Sequence, residues 1–232
     1  MTGTAESLIT ILVEPMDLQR CRFVASRPMA PGRWAYFASQ ETASDSPLAS
    51  RLLSLSSVRS VLLSHDSATI TRDVPAPRTT LGGAIRGLRR LFGDAQATAD
   101  SWKGLAFEAG KVLRDHLATG EPAVSEAVFA RNPSTSELRL RVQDVLDAEV
   151  NPVLAGHGGG VSILNLIDNV VYIRLSGGCQ GCGLVDNTLK HGVEGAIREA
   201  VPEIGAIFDL TDHASGPTPY RATKSPFSSG PR

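Results

Sequence analysis

Seven residues, Gly177-Gly178-Cys179-Gln180-Gly181-Cys182-Gly183, constrain this chain more than any other stretch. They set a Cys-x-x-Cys pair in glycines, between a segment of strand character and one of helix character. Cys21 is the only other cysteine in the sequence. Two thiolates this close can hold half of a four-coordinate metal site, or cycle between dithiol and disulfide. They cannot complete a four-cysteine iron–sulfur site by themselves. A ligand role therefore requires a second chain or ligands from outside.

The remaining composition narrows the partners. At 232 residues the chain is long enough for two modest domains, each able to bury a core. A hydrophobic content of 42%, a charged content of 20% and a formal charge of −1 create no global field that would draw nucleic acid or an anionic membrane. The first residues, Met1 to Ser7, lack the basic and apolar regions of a secretory signal, and no apolar run approaches membrane-spanning length. The expectation is a cytoplasmic protein with no nucleic-acid or membrane partner. Three cysteines with one close pair make no disulfide framework in a reducing compartment, so Cys179 and Cys182 read as ligands or redox groups.

Hydrophobic spacing divides the chain into two α+β units. In the first, apolar runs at 8–13, 21–25 and 34–38 read as strands separated by Pro15, Pro28, Pro31 and Gly32. Ser46-Pro47 opens a helix, with serine as N-cap, proline in the first turn and Leu48, Leu52, Leu53 and Leu55 as its apolar face. Strands follow at 58–63 and 68–71, with His65-Asp66 at the turn. A helix over 102–117, closed by Gly120 and followed by Pro122, completes the unit. The 75–100 segment between these elements is long for a connection. Leu81, Ala84, Ile85, Leu88, Leu91 and Phe92 fall on one side of a helical wheel and Arg86, Arg89 and Arg90 on another, so it reads as an inserted basic amphipathic segment that packs on its own domain.

The predicted boundaries are an N-terminal domain over 1–120, a linker over 121–135, a second domain over 136–213 and a mobile tail over 214–232. In the second domain Leu138, Val142, Val145, Leu146 and Val150 recur at helical spacing up to Pro152. Strands at 161–167 and 170–175 flank an Asp168-Asn169 turn, and the cysteine loop comes next. Leu184, Leu189, Val193 and Ile197 mark a helix that Pro202 stops, and 204–210 reads as a last strand. The order is α-β-β-α-β, with the cysteine loop between strand and helix.

A strand-to-helix junction suits an anionic centre. The helix dipole lowers thiolate pKa, and glycines leave backbone N–H groups uncovered for sulfur to accept from. Cluster binding, zinc binding and dithiol redox chemistry all use Cys-x-x-Cys, so the pair alone leaves the three open.

The residues around the pair narrow the choice. Gly-Gly-Cys-Gln-Gly-Cys followed by Leu184-Val185-Asp186-Asn187-Thr188-Leu189-Lys190 and Ala196-Ile197-Arg198-Glu199-Ala200-Val201-Pro202-Glu203 resembles the C-terminal domain of NifU-like (Nfu) iron–sulfur cluster carriers. The resemblance extends upstream to Asn151-Pro152-Val153-Leu154-Ala155-Gly156-His157-Gly158-Gly159 and downstream to Asp209-Leu210-Thr211-Asp212-His213 and Tyr220. The first unit is similar to the N-terminal domain often fused to it, through Arg27-Pro28, Tyr36-Phe37-Ala38-Ser39, Ser46-Pro47-Leu48-Ala49, Val58-Arg59-Ser60-Val61 and Gly120-Glu121-Pro122. It departs from that pattern at 75–100, where the family has a short connection.

The resemblance implies a non-enzymatic carrier. Cys179 and Cys182 from each of two subunits would bind a bridging [4Fe-4S] cluster, making a homodimer that receives the cluster from an upstream donor and passes it to apo client proteins. The alternatives are a dithiol–disulfide oxidoreductase with Cys179 as nucleophile and Cys182 as resolving thiol, and a zinc-stabilised interaction module. The chain lacks the aromatic-Cys-Gly-Pro-Cys loop of the former. Cys21, isolated in an apolar run, reads as a small core residue or a free thiol. His157 reads as a turn residue whose imidazole bonds backbone, Trp34 and Trp102 read as core, and Gly177, Gly178, Gly181 and Gly183 as residues that permit tight turns.

Overall fold

The structure, a computed structural model, describes residues 8–74, 95–156, 158–180 and 185–213. The predicted amphipathic segment lies outside them over 75–94, as do His157, Cys182 and the tail from residue 214. The chain divides into two compact units, Met1–Pro133 and Ser134–Arg232. Both combine helices with a sheet, so the α+β class holds.

The first unit is a five-stranded antiparallel sheet covered by helices. Its strands are β1 (Ile11–Pro15), β2 (Arg20–Ala25), β3 (Ala30–Phe37), β4 (Val58–His65) and β5 (Ser67–Arg72), in the spatial order β1-β2-β5-β4-β3. Helix α1 (Pro47–Leu53) packs on β4 and α2 (Ala95–Thr119) on β1, and the two helices touch. Strand alternation directs Cys21 and Phe23 of β2, Val61 and Leu63 of β4, and Ala68 and Ile70 of β5 into the core. Leu48, Leu52, Trp102 and Leu113 meet them from the helices. Complete burial of side chains this large stabilises the unit by about 1.5–3 kcal/mol each.

Local chemistry explains the ends of these elements. The Ser46 hydroxyl accepts from the Ala49 N–H at 3.2 Å, as an N-cap should, and also donates to the buried carbonyl of Ala123 at 2.6 Å. Gly120 takes a left-handed φ of +72°, which closes α2 without a Cβ penalty. Trp102 is buried and its indole N–H donates to the Asp17 carbonyl at 2.8 Å, while the Arg72 guanidinium lies 4.1 Å from its ring centroid.

Several boundaries differ from the sequence reading, among them that of β3, which starts at Ala30 rather than 34 and so contains Pro31 and Gly32, with a register shift against β4 between Ala30 and Trp34. The first strand runs Ile11–Pro15 rather than 8–13, because pairing with β2 sets its register and an edge strand tolerates proline. Helix α2 starts at Ala95, so residues 95–100 are helical rather than connecting. The 121–135 stretch is not a free linker up to residue 133. Ala123, Val124 and Val128 of this stretch, the last on the short helix α3 (Glu126–Phe129), bury against the first core. Ser125 N donates to the Asp45 carbonyl at 3.0 Å, and the Asn132 side-chain amide donates to the Trp34 carbonyl at 2.5 Å.

The second unit begins at Ser134, whose hydroxyl caps α4 (Thr135–Val145) by accepting from Glu137 N at 3.2 Å. The helix does not end before Pro152. A π-helical turn over Leu146–Val150 leads into α5 (Asn151–Ala155), and Asn151 N donates to the Leu146 carbonyl five residues back. The wider turn shifts the carbonyls, so the missing proline N–H leaves no gap in an α-helical ladder. Strands β6 (Gly159–Ile167) and β7 (Val170–Gly177) form an antiparallel hairpin, with Asp168 left-handed at φ +53° in its turn. Helix α6 (Val185–Ala200) then carries the chain to β8 (Ala206–Asp209), which pairs parallel to β7.

One face of this sheet is covered by helices. Leu138, Val142 and Leu146 pack with Val193 and Ile197 over Val161, Ile163, Val171, Ile173 and Ile207. Arg141 forks onto both carboxylate oxygens of Glu203 at 2.7 and 3.1 Å, pinning α4 to the turn before β8. The other face leaves Phe208 half exposed, stacked on Tyr172 with ring centroids 5.6 Å apart. Among the described residues no helix is long and apolar enough to cross a membrane.

Candidate functional site

The cysteine loop leaves the end of β7, and the start of β6 presses against it. Gly158 turns at φ +69° and donates to the Ala155 carbonyl at 2.9 Å, reversing the chain from α5 into β6. Gly159 and Gly177 are directly opposed in the β6–β7 ladder. Gly177 also has a left-handed φ, +60°, and a Cβ on it would overlap the Gly158 carbonyl oxygen. A side chain at this crossing would separate the strands where the loop begins.

Asn151 fixes the other side of the glycine turn. Its side-chain oxygen accepts from Val161 N at 2.8 Å and its amide donates to the Val161 carbonyl at 3.1 Å. The side chain thus replaces a strand partner for one residue of β6 and locks α5 to it.

Cys179 sits inside this frame and is 2% exposed. A Cβ on Gly159 would overlap its sulfur. The backbone N–H groups of Gly178, Cys179 and Gln180 donate to the carbonyls of Gly158, Ser176 and Gly177 at 2.8, 3.3 and 3.0 Å. These three amides are therefore satisfied by the backbone of the loop, the end of β7 and the 158–160 turn. The expectation that the glycines leave N–H groups uncovered does not hold for them, because the turn that reverses the chain uses its own donors.

The segment after β8 braces the loop from the remaining side. The Thr211 hydroxyl accepts from Leu175 N at 2.7 Å and donates to the Asp209 carboxylate, which also accepts from Thr211 N at 2.8 Å. His213 Nε2 lies 3.1 Å from the second Asp209 oxygen. Burial pushes the Asp209 carboxyl up, but the hydrogen bonds from the Thr211 side chain and backbone and from His213 outweigh it and hold the group below the usual carboxylate range. The Gln180 amide reaches across to the Asp212 carbonyl at 2.8 Å.

Of the predicted site residues, Cys179 is placed in this frame, while Cys182 lies outside the described residues. Cys21 is fully buried on β2, in the core of the other unit, where burial pushes its thiol up to about 12. It is a core residue, as its apolar surroundings implied. The sequence reading gave no role to Gly159, Gln180 or Thr211. Gly159 sits in a glycine run and Thr211 in a quoted motif, yet neither signal names the contact each one makes.

Residues 142–208 match the model of the NifU-like domain, and residues 17–86 match that of the scaffold protein Nfu/NifU N-terminal domain. The chain is of the Nfu type. An Nfu N-terminal domain is followed by a NifU-like domain, and the latter encloses both Cys179 and Cys182. Among relatives of this Nfu-type chain is the Fe/S biogenesis protein NfuA of Pseudomonas aeruginosa, 45% identical over 86 residues that cover 37% of this chain and 44% of that protein. The Fe/S biogenesis protein NfuA of Xanthomonas euvesicatoria is 48% identical over 81 residues, covering 34% and 41%. The chain thus spans less than half the length of the curated relatives it matches. The solution structure of a NifU-like protein from Saccharomyces cerevisiae aligns with a TM-score of 0.35 and 17% identity, over 54% of this chain and 92% of that one.

Proposed function

We propose that the Nfu-type chain is an iron–sulfur cluster carrier. Cys179 and Cys182 of two copies together hold a labile [4Fe-4S] cluster, which the dimer receives from a donor and hands to apo client proteins. The cluster is cargo, and the chain acts by binding and release rather than by turnover. One observation carries this reading: Cys179 and Cys182 both lie inside the NifU-like match, and Cys179 stands just past the end of a strand that glycines and the 209–213 segment hold in place. Thiolate is the ligand type that iron in such a cluster requires, and exchange with incoming client thiolates supplies a route for release.

The test is anaerobic reconstitution with iron and sulfide, measuring iron, acid-labile sulfide and mass together. About one four-iron cluster per two chains is expected, because each chain contributes two thiolates at this site. Cys179→Ser and Cys182→Ser should each abolish stable binding, and Cys21→Ser should not. A monomer that holds a complete cluster without added thiol excludes the shared site. Reversible disulfide formation between Cys179 and Cys182 with no cluster bound would favour the oxidoreductase instead.

A further inference from the structure

We infer that Gly159 is a positioning residue for the Cys179 thiol, and that the chain keeps this thiol sheathed until the cysteine loop parts from the 158–160 turn. The inference deepens the carrier reading and rests on it for what the thiol receives.

The sulfur of Cys179 occupies the space that a Cβ on Gly159 would need. From that same point the Cys179 nitrogen is 2.9 Å away and its Cβ 3.0 Å. Gly160, the next residue, is different: its Cβ would meet only Asn151 Oδ1 and Ser176 Oγ, both at an ordinary 3.5 Å. Gly159 does not have a left-handed φ, unlike Gly158 and Gly177, so the backbone would accept any L-residue there. What a side chain at 159 would disturb is the seat of the sulfur.

Among the described residues, two hydrogen bonds tie the loop to neighbouring segments. Gly178 N donates to the Gly158 carbonyl at 2.8 Å, joining loop to turn directly. The Gln180 amide donates to the Asp212 carbonyl at 2.8 Å, joining the far side of the loop to the segment after β8. With Cys179 2% exposed and its sulfur packed on a bare Cα, no open side faces an incoming iron atom or a second chain. Ligation therefore requires the loop to move off the turn, a motion that breaks these two hydrogen bonds and the glycine contact. A closed thiol is also shielded from oxidants while the carrier is empty.

The experiment is alkylation of the cluster-free, full-length chain by iodoacetamide, with each cysteine followed by peptide mass spectrometry. Cys179 should react at least about tenfold more slowly in the native chain than in the urea-unfolded chain. Gly159→Ala should remove most of that protection, because the added methyl displaces the sulfur. Gly160→Ala, a matched change one residue away, should leave the rate within about twofold of wild type. A merely structural role for the glycine run would move both variants alike.

Gln180→Ala opens the loop without adding bulk and should also raise the Cys179 rate, so it decides the matter if Gly159→Ala does not fold. Equal rates in native and unfolded wild type overturn the proposal. So does an unchanged Cys179 rate in a folded Gly159→Ala variant, or in Gln180→Ala. Reconstitution run in parallel separates the two ideas. A protected Cys179 in a chain that takes up no cluster supports the sheath and sinks the carrier reading. An accessible Cys179 in a chain that does take one up sinks the sheath alone.

Discussion

The side-chain amide of Gln180 donates a 2.8 Å hydrogen bond to the backbone carbonyl of Asp212, so the residue that follows Cys179 is held by a segment 32 positions further along the chain. That segment is itself anchored to β7, since the Thr211 hydroxyl accepts from Leu175 N and Leu210 N donates to the Ile173 carbonyl at 2.9 Å. The order of the cysteine loop thus depends on β8 and its flank as well as on the loop's own glycines.

Thr211→Val should destabilise the second unit by about 1–3 kcal/mol, because it removes the acceptor of Leu175 N and a donor to Asp209 while keeping the shape. Asp209 adds a pH signature. Its carboxyl is held below its unfolded value, so its contribution is present above the ordinary carboxylate pKa and is lost as pH falls through the lower folded value. Hydrogen exchange of β7 amides in acid should show this loss in wild type and a weaker one in Asp209→Asn. Equal acid sensitivity in both would remove Asp209 from the account.

Asn151→Asp preserves size and keeps an acceptor for Val161 N, yet it turns a donor toward the Val161 carbonyl into a second acceptor. The expected cost is about 2 kcal/mol in thermal or urea unfolding of the second unit, with Asn151→Ala similar. A neutral result for Asn151→Asp would mean that the carbonyl bond contributes nothing.

Ser46→Ala removes an N-cap and leaves the Ala123 carbonyl without its buried donor. About 2–3 kcal/mol should be lost from the first unit. Both tryptophans of the chain, Trp34 and Trp102, lie in that unit, so tryptophan fluorescence reads its unfolding in the full-length chain. An unchanged urea midpoint would refute the double role of the hydroxyl.

His116 is fully buried on α2, and neither ring nitrogen has a hydrogen bond of good geometry. Burial first and Arg51 second push its pKa down, with Glu121 pulling partly the other way. The unfolded chain therefore binds this proton more readily than the folded one. Stability of the first unit is full above the unfolded value near 6.5 and declines as pH falls from there toward the folded value. His116→Leu should flatten that decline in the tryptophan-detected urea midpoint between about pH 6.5 and 5. A decline of the same slope in the variant would assign it to other groups.

Short-range chemistry was legible in the sequence. Ser46-Pro47 declares a helix start, Gly120 a helix end and Asp168-Asn169 a hairpin turn, because each depends on a residue's own φ preference or on a hydrogen bond three residues away. The apolar spacing of Leu138, Val142, Val145, Leu146 and Val150 likewise identified a buried helix face, and all five are buried. Pro152 misled the boundary because the π-helical turn that accommodates it has no local signature. Residues 121–133 looked like a linker by composition, and only the first core shows why Ala123, Val124 and Val128 are apolar.

The sequence by itself determined the α+β class, the pairing of an Nfu N-terminal domain with a NifU-like domain, and the two cysteines that mark the candidate site. Those properties rest on local periodicity and on contiguous motifs. Tertiary structure alone decided that β8 lies beside β7, that the 158–160 turn lies against Cys179 and that Gln180 reaches Asp212. These contacts join residues about 20 to 40 positions apart, and a chain's sequence does not state which distant backbone will arrive within van der Waals distance of a sulfur. Gly159 has no evident role in the sequence until the fold brings Cys179 to it, and then the absence of a side chain becomes the space in which the thiol is held.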